Sequence, residues 1–317
     1  MEMEQSLKTN ATVLELMRIA VFALVWMAAG SACAGEVEAQ SAALLSARYE
    51  ALRGQLSQNP YRRPLYMESS EISGGVSGDV FAIVDYPFST TEGALNGPEQ
   101  WCDILILHLN TKFCRVSKAG PGKVLNVAIG RKFDQPLDKA YRVDFAFDVV
   151  AGTPNYLKVR LDADTGPLST RNYRIIFEAI PLESGRTFIH LSYSYAYGLA
   201  GRLALQTYLG TVGSSKVGFT VVGMQSNGKP RHVGGLRGVV ERNSMRYYLA
   251  IEAFLGAISV SPPARFEQRL HDWFDAVERY PLQLHEMERS DYLAMKRKEY
   301  LRQQAELGAA TRFALLD

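Results

Sequence analysis

The chain has 317 residues, which is enough for one large domain with extensions. Its 35 Lys and Arg residues against 33 Asp and Glu residues give a net charge of +2 at pH 7. This near-balance excludes the clustered basic surface expected of a nucleic-acid-binding protein.

The N-terminal stretch is typical of a secretory signal peptide. Arg18 precedes an uncharged apolar run from Ile19 to Ala29, and the small residues around Cys33 fit a cleavage site. The run is too short for a transmembrane helix. Simple secretion is favoured over lipidation at Cys33, because Gly30 stands where a lipoprotein signal carries Leu. We therefore expect residues 1–34 to be a signal peptide and the protein to be secreted into the periplasm.

Two cysteines remain after such a cleavage, Cys102 and Cys114. In an oxidising compartment they could form a disulfide, and the alternative is a pair of small buried thiols. The disulfide is favoured, because idle thiols are a liability in a secreted protein.

The first predicted elements are helices around one strand. Apolar spacing predicts a helix from Val37 to Leu56 that ends before Asn59-Pro60, since Pro disfavours helix in the residue before it. A Gly- and Ser-rich stretch leads to a strand from Asp79 to Asp85. Two short helices follow. Ser89 and Glu92 have capping-box spacing at the start of the first, and Pro98 opens the second.

His108 continues the apolar stripe of the second short helix, after Trp101 and Leu105. No acidic residue stands at helical spacing from it. A core histidine bonded to a backbone carbonyl is therefore favoured over a catalytic one.

Five successive segments alternate apolar and polar residues with a period of two, which predicts an antiparallel sheet with one wet face. They are Lys123–Arg131, Tyr141–Val150, Tyr156–Ala163, Asn172–Pro181 and Arg186–Tyr197. A short helix over Leu199–Leu209 and a last strand over Lys216–Val222 are expected next.

The longest periodic stretch is a predicted helix from Leu236 to Ile258. Asn243 and Tyr247 lie within its apolar stripe, and each requires a hydrogen-bond partner if buried. Four polar residues on the opposite side should meet solvent or a polar neighbour, namely Arg237, Glu241, Ser244 and Glu252.

Arg265 to Glu306 is a charged helical extension with nearly balanced charge. Its apolar stripe, Phe266, Leu270, Trp273, Phe274 and Val277, is expected to pack on the outer sheet face or on the N-terminal helix.

The order of elements, β-α-α-β6-α, resembles the START-like, helix-grip superfamily (SRPBCC, Bet v 1-like). Three phrases carry the resemblance: FAIVDYPFSTTEGALNGPEQWCDILI, YRIIFEAIPLESGRTFIHLSYSY and GVVERNSMRYYLAIEAFLGAI. The resemblance implies an α+β fold in which a curved antiparallel sheet of about seven strands wraps around the long helix and encloses a hydrophobic cavity. We expect this domain over residues 75–258, between an N-terminal helical arm (35–74) and a C-terminal extension (259–317).

The predicted ligand-binding residues share an inward position on the strands or on the long helix. They are Tyr141, Phe145, Tyr173, Phe177, Tyr193, Tyr195, Asn243, Tyr247 and Ile251. Tyrosine suits a mainly apolar ligand with one or two polar groups, although the same rings could equally fill a solid core.

A second candidate site lies at the start of the long helix, where free backbone N–H groups could hold an anion. Its residues are Arg231, Gly234, Gly235 and Arg237. The alternative is that the glycines only permit a tight entry into the helix, and this alternative is favoured.

Three functions compete: a carrier or sensor of a hydrophobic small molecule or lipid, a cyclase- or hydrolase-like enzyme of the same fold, and an envelope interaction protein with a filled core. The predicted cavity face holds few titratable groups, and the sequence has no HxxxH, CxxC or G-x-S-x-G motif. We therefore expect a binding protein with no catalytic residue, metal or cofactor. Transient membrane contact is compatible with this function, and no protein partner is identified.

Overall fold

The computed structural model describes residues 38–72, 74–119, 122–199, 201–203 and 216–314. The chain divides into two compact units, Met1–Arg48 and Tyr49–Asp317. Of the first unit, residues 38–48 are described and are helical. The predicted signal peptide and most of the Leu199–Leu209 helix lie outside the described residues. Within them, no helix is long and apolar enough to cross a membrane.

Helix α1 covers residues 38–57, close to its predicted bounds. Asn59 closes it, because the Asn59 side-chain amide donates to the carbonyl oxygens of Gln55 at 3.0 Å and Leu56 at 2.9 Å. These bonds satisfy carbonyl groups that a helix end leaves without a partner.

The second unit is built on one antiparallel sheet of eight strands in the order β1-β2-β8-β7-β6-β5-β4-β3. The strands are β1 (Leu65–Ile72), β2 (Gly75–Val84), β3 (Thr111–Ala119), β4 (Gly122–Ile129), β5 (Tyr141–Thr153), β6 (Tyr156–Thr165), β7 (Thr170–Pro181) and β8 (Thr187–Tyr197). A separate hairpin pairs β9 (Val221–Met224) with β10 (Pro230–His232).

In the described part of the chain, six α-helices accompany these strands, in addition to α1 and the helical residues 201–203. They are α2 (Phe88–Leu95), α3 (Pro98–Leu105), α4 (Gly235–Gly256), α5 (Pro262–Glu278), α6 (Pro281–Leu284) and α7 (Arg289–Ala314). The predicted α+β class, with a long helix lying on an antiparallel sheet, is confirmed. Six strands of the main sheet, β3 to β8, lie between α3 and α4, as the predicted element order requires.

Two details of the strand prediction are wrong. Strands β1 and β3 were not predicted, and the segment from Lys216 to Val222 enters the small hairpin only at its end instead of adding a strand to the sheet. β3 escapes detection because Lys112, a charged residue, is fully buried there. Its ammonium group pairs with Glu299 of α7 at 2.9 Å, a partner that only the fold supplies.

The starts of the two short helices differ. The predicted capping box of α2 does not form, since α2 begins at Phe88 with Pro87 at its N-cap and no side-chain cap. Pro98 opens α3 as predicted. The disulfide between Cys102 of α3 and Cys114 of β3 is present, with Cα atoms 5.2 Å apart.

Helix α4 lies directly on β2. The Ser244 hydroxyl donates to the Gly78 carbonyl at 3.0 Å, and a Cβ atom at Gly78 would lie only 2.7 Å from the Ser244 Oγ. Glycine is therefore required at this close approach. On the same side of α4, the buried Glu241 carboxylate accepts the backbone N–H groups of Phe219 and Thr220 at 2.6 and 2.9 Å. The polar side of α4 thus has polar neighbours within the protein.

The C-terminal extension packs on α4, so the prediction that it covers the outer sheet face or the N-terminal helix is wrong. The Trp273 indole N–H donates to the Arg246 carbonyl at 3.1 Å, and the Arg269 guanidinium lies 4.1 Å from the Phe254 ring centroid. The physical reason is that α4 also buries a second apolar face, which includes Leu249 and Ala253.

Helix α7 lies along the open edge of β3. The Gln303 side-chain oxygen accepts the Cys114 backbone N–H at 2.9 Å, and the Arg302 guanidinium donates to the Lys112 carbonyl at 3.1 Å. Side chains of α7 therefore occupy ladder positions that a neighbouring strand would otherwise take.

Candidate functional site

The interior between the sheet and α4 is densely packed at one end. Phe177 and Leu191 are fully buried there, and the Trp101 ring meets the Phe177 ring edge-on with centroids 6.0 Å apart. Six residues predicted to bind a ligand belong to the buried hydrophobic core, namely Phe145, Tyr173, Phe177, Tyr193, Tyr195 and Ile251.

The other end of the interior holds a group that we call the tyrosine cluster: Tyr173, Tyr193, Tyr195 and Tyr247, with Asn243 and His108. The rings of Tyr173 and Tyr195 stack at 5.2 Å, and the rings of Tyr193 and Tyr247 meet edge-on at 5.3 Å. The structure thus brings together five of the predicted ligand-binding residues.

A chain of polar contacts runs through the tyrosine cluster. The hydroxyl groups of Thr170 and Tyr173 are 2.7 Å apart, and Tyr173 bonds in turn to Tyr193. The Asn243 amide reaches both the Tyr193 hydroxyl and the His108 ring. The two polar residues of the α4 stripe therefore lie in a shared polar network that spans from the sheet to the helix.

From the sequence, His108 was predicted to lie on a helix and to form a hydrogen bond with a backbone carbonyl. It instead follows α3 in a turn, and its Nδ1 accepts the Asn110 backbone N–H at 3.1 Å. Burial, with the charges of Arg246 and Lys296, lowers the pKa of His108 well below 6.5. The ring is therefore neutral, with its hydrogen on Nε2, where it forms no well-aligned hydrogen bond although Asn243 is close.

The tyrosine hydroxyl groups are neutral donors as well. Burial raises the pKa of Tyr173 and Tyr193, and burial likewise raises the pKa of Tyr195 and Tyr247. The His108 ring stacks on the Tyr247 ring at 4.9 Å. The cluster consequently offers several uncharged donors in an apolar setting, which suits recognition of neutral oxygen atoms.

Space is unevenly distributed along α4. Asn243 and Tyr247 keep partly accessible surface, whereas the neighbouring residues Ile251 and Val240 on the same apolar stripe keep none. Tyr141, which was predicted to bind a ligand, is 43% exposed at the start of β5 and does not belong to the tyrosine cluster. Accessible surface is therefore concentrated where the polar groups are.

The predicted anion site is not assembled as one group. The Arg231 guanidinium bonds within its own hairpin to the Val222 carbonyl at 3.5 Å, while Arg237 donates to Ser69 Oγ at 3.0 Å. Gly235 has φ +60°, a left-handed conformation that explains the glycine at the entry to α4.

Sequence reasoning missed two charged groups that the fold assembles. His190 points to the outer sheet face as predicted, but there its ring nitrogens meet Glu178 at 2.8 Å and Asp79 at 2.9 Å. Lys132 and Arg246 share the Glu286 carboxylate. These partners come from distant segments, so no spacing pattern could reveal them. Among the described residues, no group of three His, Cys, Asp or Glu side chains could hold a metal ion.

No protein-family model matches the chain, and no curated protein matches it. Similar solved structures include a conserved protein from Geobacillus kaustophilus, with 13% identity over 57% of this chain and 95% of that chain and a TM-score of 0.33. Norcoclaurine synthase from Thalictrum flavum has 12% identity over 47% and 82%, with a TM-score of 0.31. Ara h 8.0201 has 10% identity over 61% and 99%, with a TM-score of 0.34.

These overlaps are too low to carry an argument about function. The structure's own evidence is the element order and the sheet order, in which β2 lies beside β8, β3 forms the far edge and α4 crosses the inner face. The described elements therefore have the helix-grip arrangement that the resemblance implies, with one antiparallel sheet and a long helix on its inner face.

Proposed function

We propose that the protein binds a mainly apolar small molecule or lipid with one or two polar groups, held between the sheet and α4 at the tyrosine cluster. The observation that carries this proposal is the accessible surface that Asn243 and Tyr247 keep on a helix stripe where Val240 and Ile251 keep none. Polar donors that keep accessible surface within an apolar interior favour a ligand that supplies the matching acceptors.

Binding fits the chemistry of the cluster better than catalysis does. General acid–base catalysis works best with a pKa near the operating pH, and the pKa of His108 lies well below 6.5. The six residues that define the cluster include no carboxylate. The cluster is therefore suited to orienting a ligand by hydrogen bonds.

We further propose that the protein acts as a carrier or sensor in the periplasm. The signal-like run before residue 35 and the disulfide between Cys102 and Cys114 support export to an oxidising compartment. N-terminal sequencing of protein recovered from the periplasmic fraction tests this, and recovery of uncleaved protein in the cytosol would contradict it.

Tyr247→Ala and Asn243→Leu test the binding site. Truncating a tightly packed aromatic residue costs about 3–5 kcal/mol because it leaves a void. Beside existing space, Tyr247→Ala should cost clearly less, while retention of a co-purified ligand falls. Asn243→Leu keeps the volume and removes the amide, so ligand retention should fall with little change in stability. Native mass spectrometry of protein purified from its host measures retention, and urea unfolding measures stability.

Phe177→Ala is the matched control, because Phe177 is fully buried at the packed end. It should show the full stability loss without affecting the ligand selectively. If Tyr247→Ala costs as much as Phe177→Ala and neither cluster variant changes what co-purifies, the interior is a filled core and the binding proposal fails.

A further inference from the structure

A second pocket lies outside the interior between the sheet and α4, and the C-terminal extension forms one of its walls. Its volume is about 460 Å³, within the range of small-molecule sites. The loop after β4 contributes Lys132 and Phe133, and the opposite wall comes from Glu286, Met287, Ala294 and Met295.

The pocket has an extensive apolar surface. Phe133 is 56% exposed, Met287 is partly buried and Met295 is buried against the core. Methionine side chains adapt to ligands of different shape, and an exposed aromatic ring provides a flat contact area. These residues suit a flexible alkyl chain.

Positive side chains gather around Glu286 at one end of the pocket. A single Glu286 oxygen accepts Lys132 Nζ at 2.6 Å and Arg246 Nη2 at 2.8 Å, and Lys216 Nζ lies 3.9 Å from the other oxygen. Three cations thus share one carboxylate. Elsewhere in the lining, Asp134 is paired with Lys298, and the exposed Asp291 adds a further carboxylate.

Lys132 is the cation that meets the pocket. Burial, with the charges of Arg246 and Arg242, lowers the pKa of Lys132 to about 8 in spite of Glu286. A second anion beside Lys132 would relieve this repulsion and favour its protonated form.

We propose that this pocket binds an amphipathic monoanion, with a carboxylate head group paired to Lys132 and an alkyl chain lying along Phe133, Met287 and Met295. The site shares no lining residue with the tyrosine cluster, although the charges of Lys132 and Arg246 contribute to the lowered pKa of His108. It uses a wall that α7 and the segment before it provide, in addition to the elements of the helix-grip order.

Decanoate is a suitable probe, with decanol as the uncharged control, and isothermal titration calorimetry measures binding. Decanoate should bind at least about tenfold more tightly than decanol, since a charge-assisted hydrogen bond is worth more than a neutral one. Lys132→Gln should remove this preference, and Lys298→Gln should leave it nearly unchanged. Equal binding of the two probes, or undiminished decanoate binding by Lys132→Gln, would overturn the proposal.

Two further variants separate the pocket from folding defects and from the interior site. Ala294→Trp fills an exposed position of the lining without altering charge, so it should abolish decanoate binding with an unchanged melting temperature. Tyr247→Ala should leave decanoate binding intact. If Ala294→Trp binds normally, or if Tyr247→Ala loses binding, the decanoate site is not this pocket.

Proton uptake gives an independent readout. At pH 8 about half of the Lys132 side chains lack a proton, so decanoate binding should take up protons in wild type and none in Lys132→Gln. Titrations in two buffers of different ionisation enthalpy measure this uptake. Equal uptake by the two proteins would exclude Lys132 as the partner of the head group.

Discussion

His190 is held between two carboxylates on the outer face of the sheet, with the Phe81 ring stacked on it at 4.4 Å. Burial opposes protonation, but the hydrogen bonds to Asp79 and Glu178 outweigh burial and raise the pKa of His190 to about 9. The protonated ring therefore bridges strands β2, β8 and β7 at neutral pH, as a charge-assisted link across the sheet.

This link predicts a pH-dependent stability. A folded pKa near 9 against an unfolded value near 6.5 means that the contribution is complete below pH 6.5 and is lost as the pH rises through 9. We expect the free energy of unfolding to fall by about 3 kcal/mol between pH 6 and pH 10 because of this group. Urea unfolding at the two pH values measures the change.

His190→Gln is the control, because it removes the titrating ring. The variant should be less stable than wild type at pH 6, and the two proteins should converge at pH 10. A difference between them that stays constant across this range would contradict the assignment of the pH dependence to His190.

At the scale of elements, buried charges fasten α7 to the sheet. The ammonium groups of Lys112 and Lys296 both pair with Glu299, at 2.9 and 2.8 Å, and all three side chains are fully buried. Lys296 also donates to the carbonyl oxygens of His108 and Thr111, both at 2.7 Å. The end of the α3–β3 connection is thereby fixed to α7.

Glu299→Gln should be strongly destabilising, by about 3–5 kcal/mol, because it leaves two buried cations without their counter-charge. Glu267→Gln is the matched control. Glu267 of α5 also pairs with a cation of α7, Arg297, but this pair is exposed. This control should cost less than about 1 kcal/mol. Chemical unfolding of both variants measures the costs, and similar small values for both would show that Glu299 is dispensable.

The disulfide makes a second connection between α3 and β3. It closes a loop of twelve residues, for which chain entropy predicts a stabilisation of about 3 kcal/mol. The Cys102→Ala/Cys114→Ala double variant should lose this amount in chemical unfolding. Peptide mapping without reductant should recover the two cysteine peptides joined, and free thiols at both positions would remove this contribution.

At the scale of the whole molecule, the sequence predicted what depends on regular periodicity. The alternation of β8 places Leu191, Tyr193 and Tyr195 inward and His190 outward, as observed. Periodicity also predicted the long helix and placed Tyr247 on the side of that helix that faces the tyrosines of the sheet. These features are local, because a side chain's face depends only on its position along its own element.

Features that depend on distant partners could not be predicted. The charge of Lys112 argues against a buried strand at β3. Its partner Glu299, which makes burial possible, is far away in the sequence. The second apolar face of α4 was hidden for a similar reason, since Arg246 is buried on it with Glu286 as its partner. In the sequence, charged residues of buried ion pairs look like surface residues. The packing of α7 was therefore not predicted, and neither was the pocket wall that α7 forms.

The contact of α7 with β3 has a consequence for solubility. An uncovered edge strand is a template for pairing with another copy of the chain, and such pairing leads to fibrils or aggregates. Gln303 and Arg302 occupy the β3 edge, while the opposite edge strand β1 carries the charges of Glu68 and Glu71. A chain that ended before α7 would keep the charged β1 edge but expose the β3 edge. Helix α7 therefore protects the β3 side of the sheet from self-association.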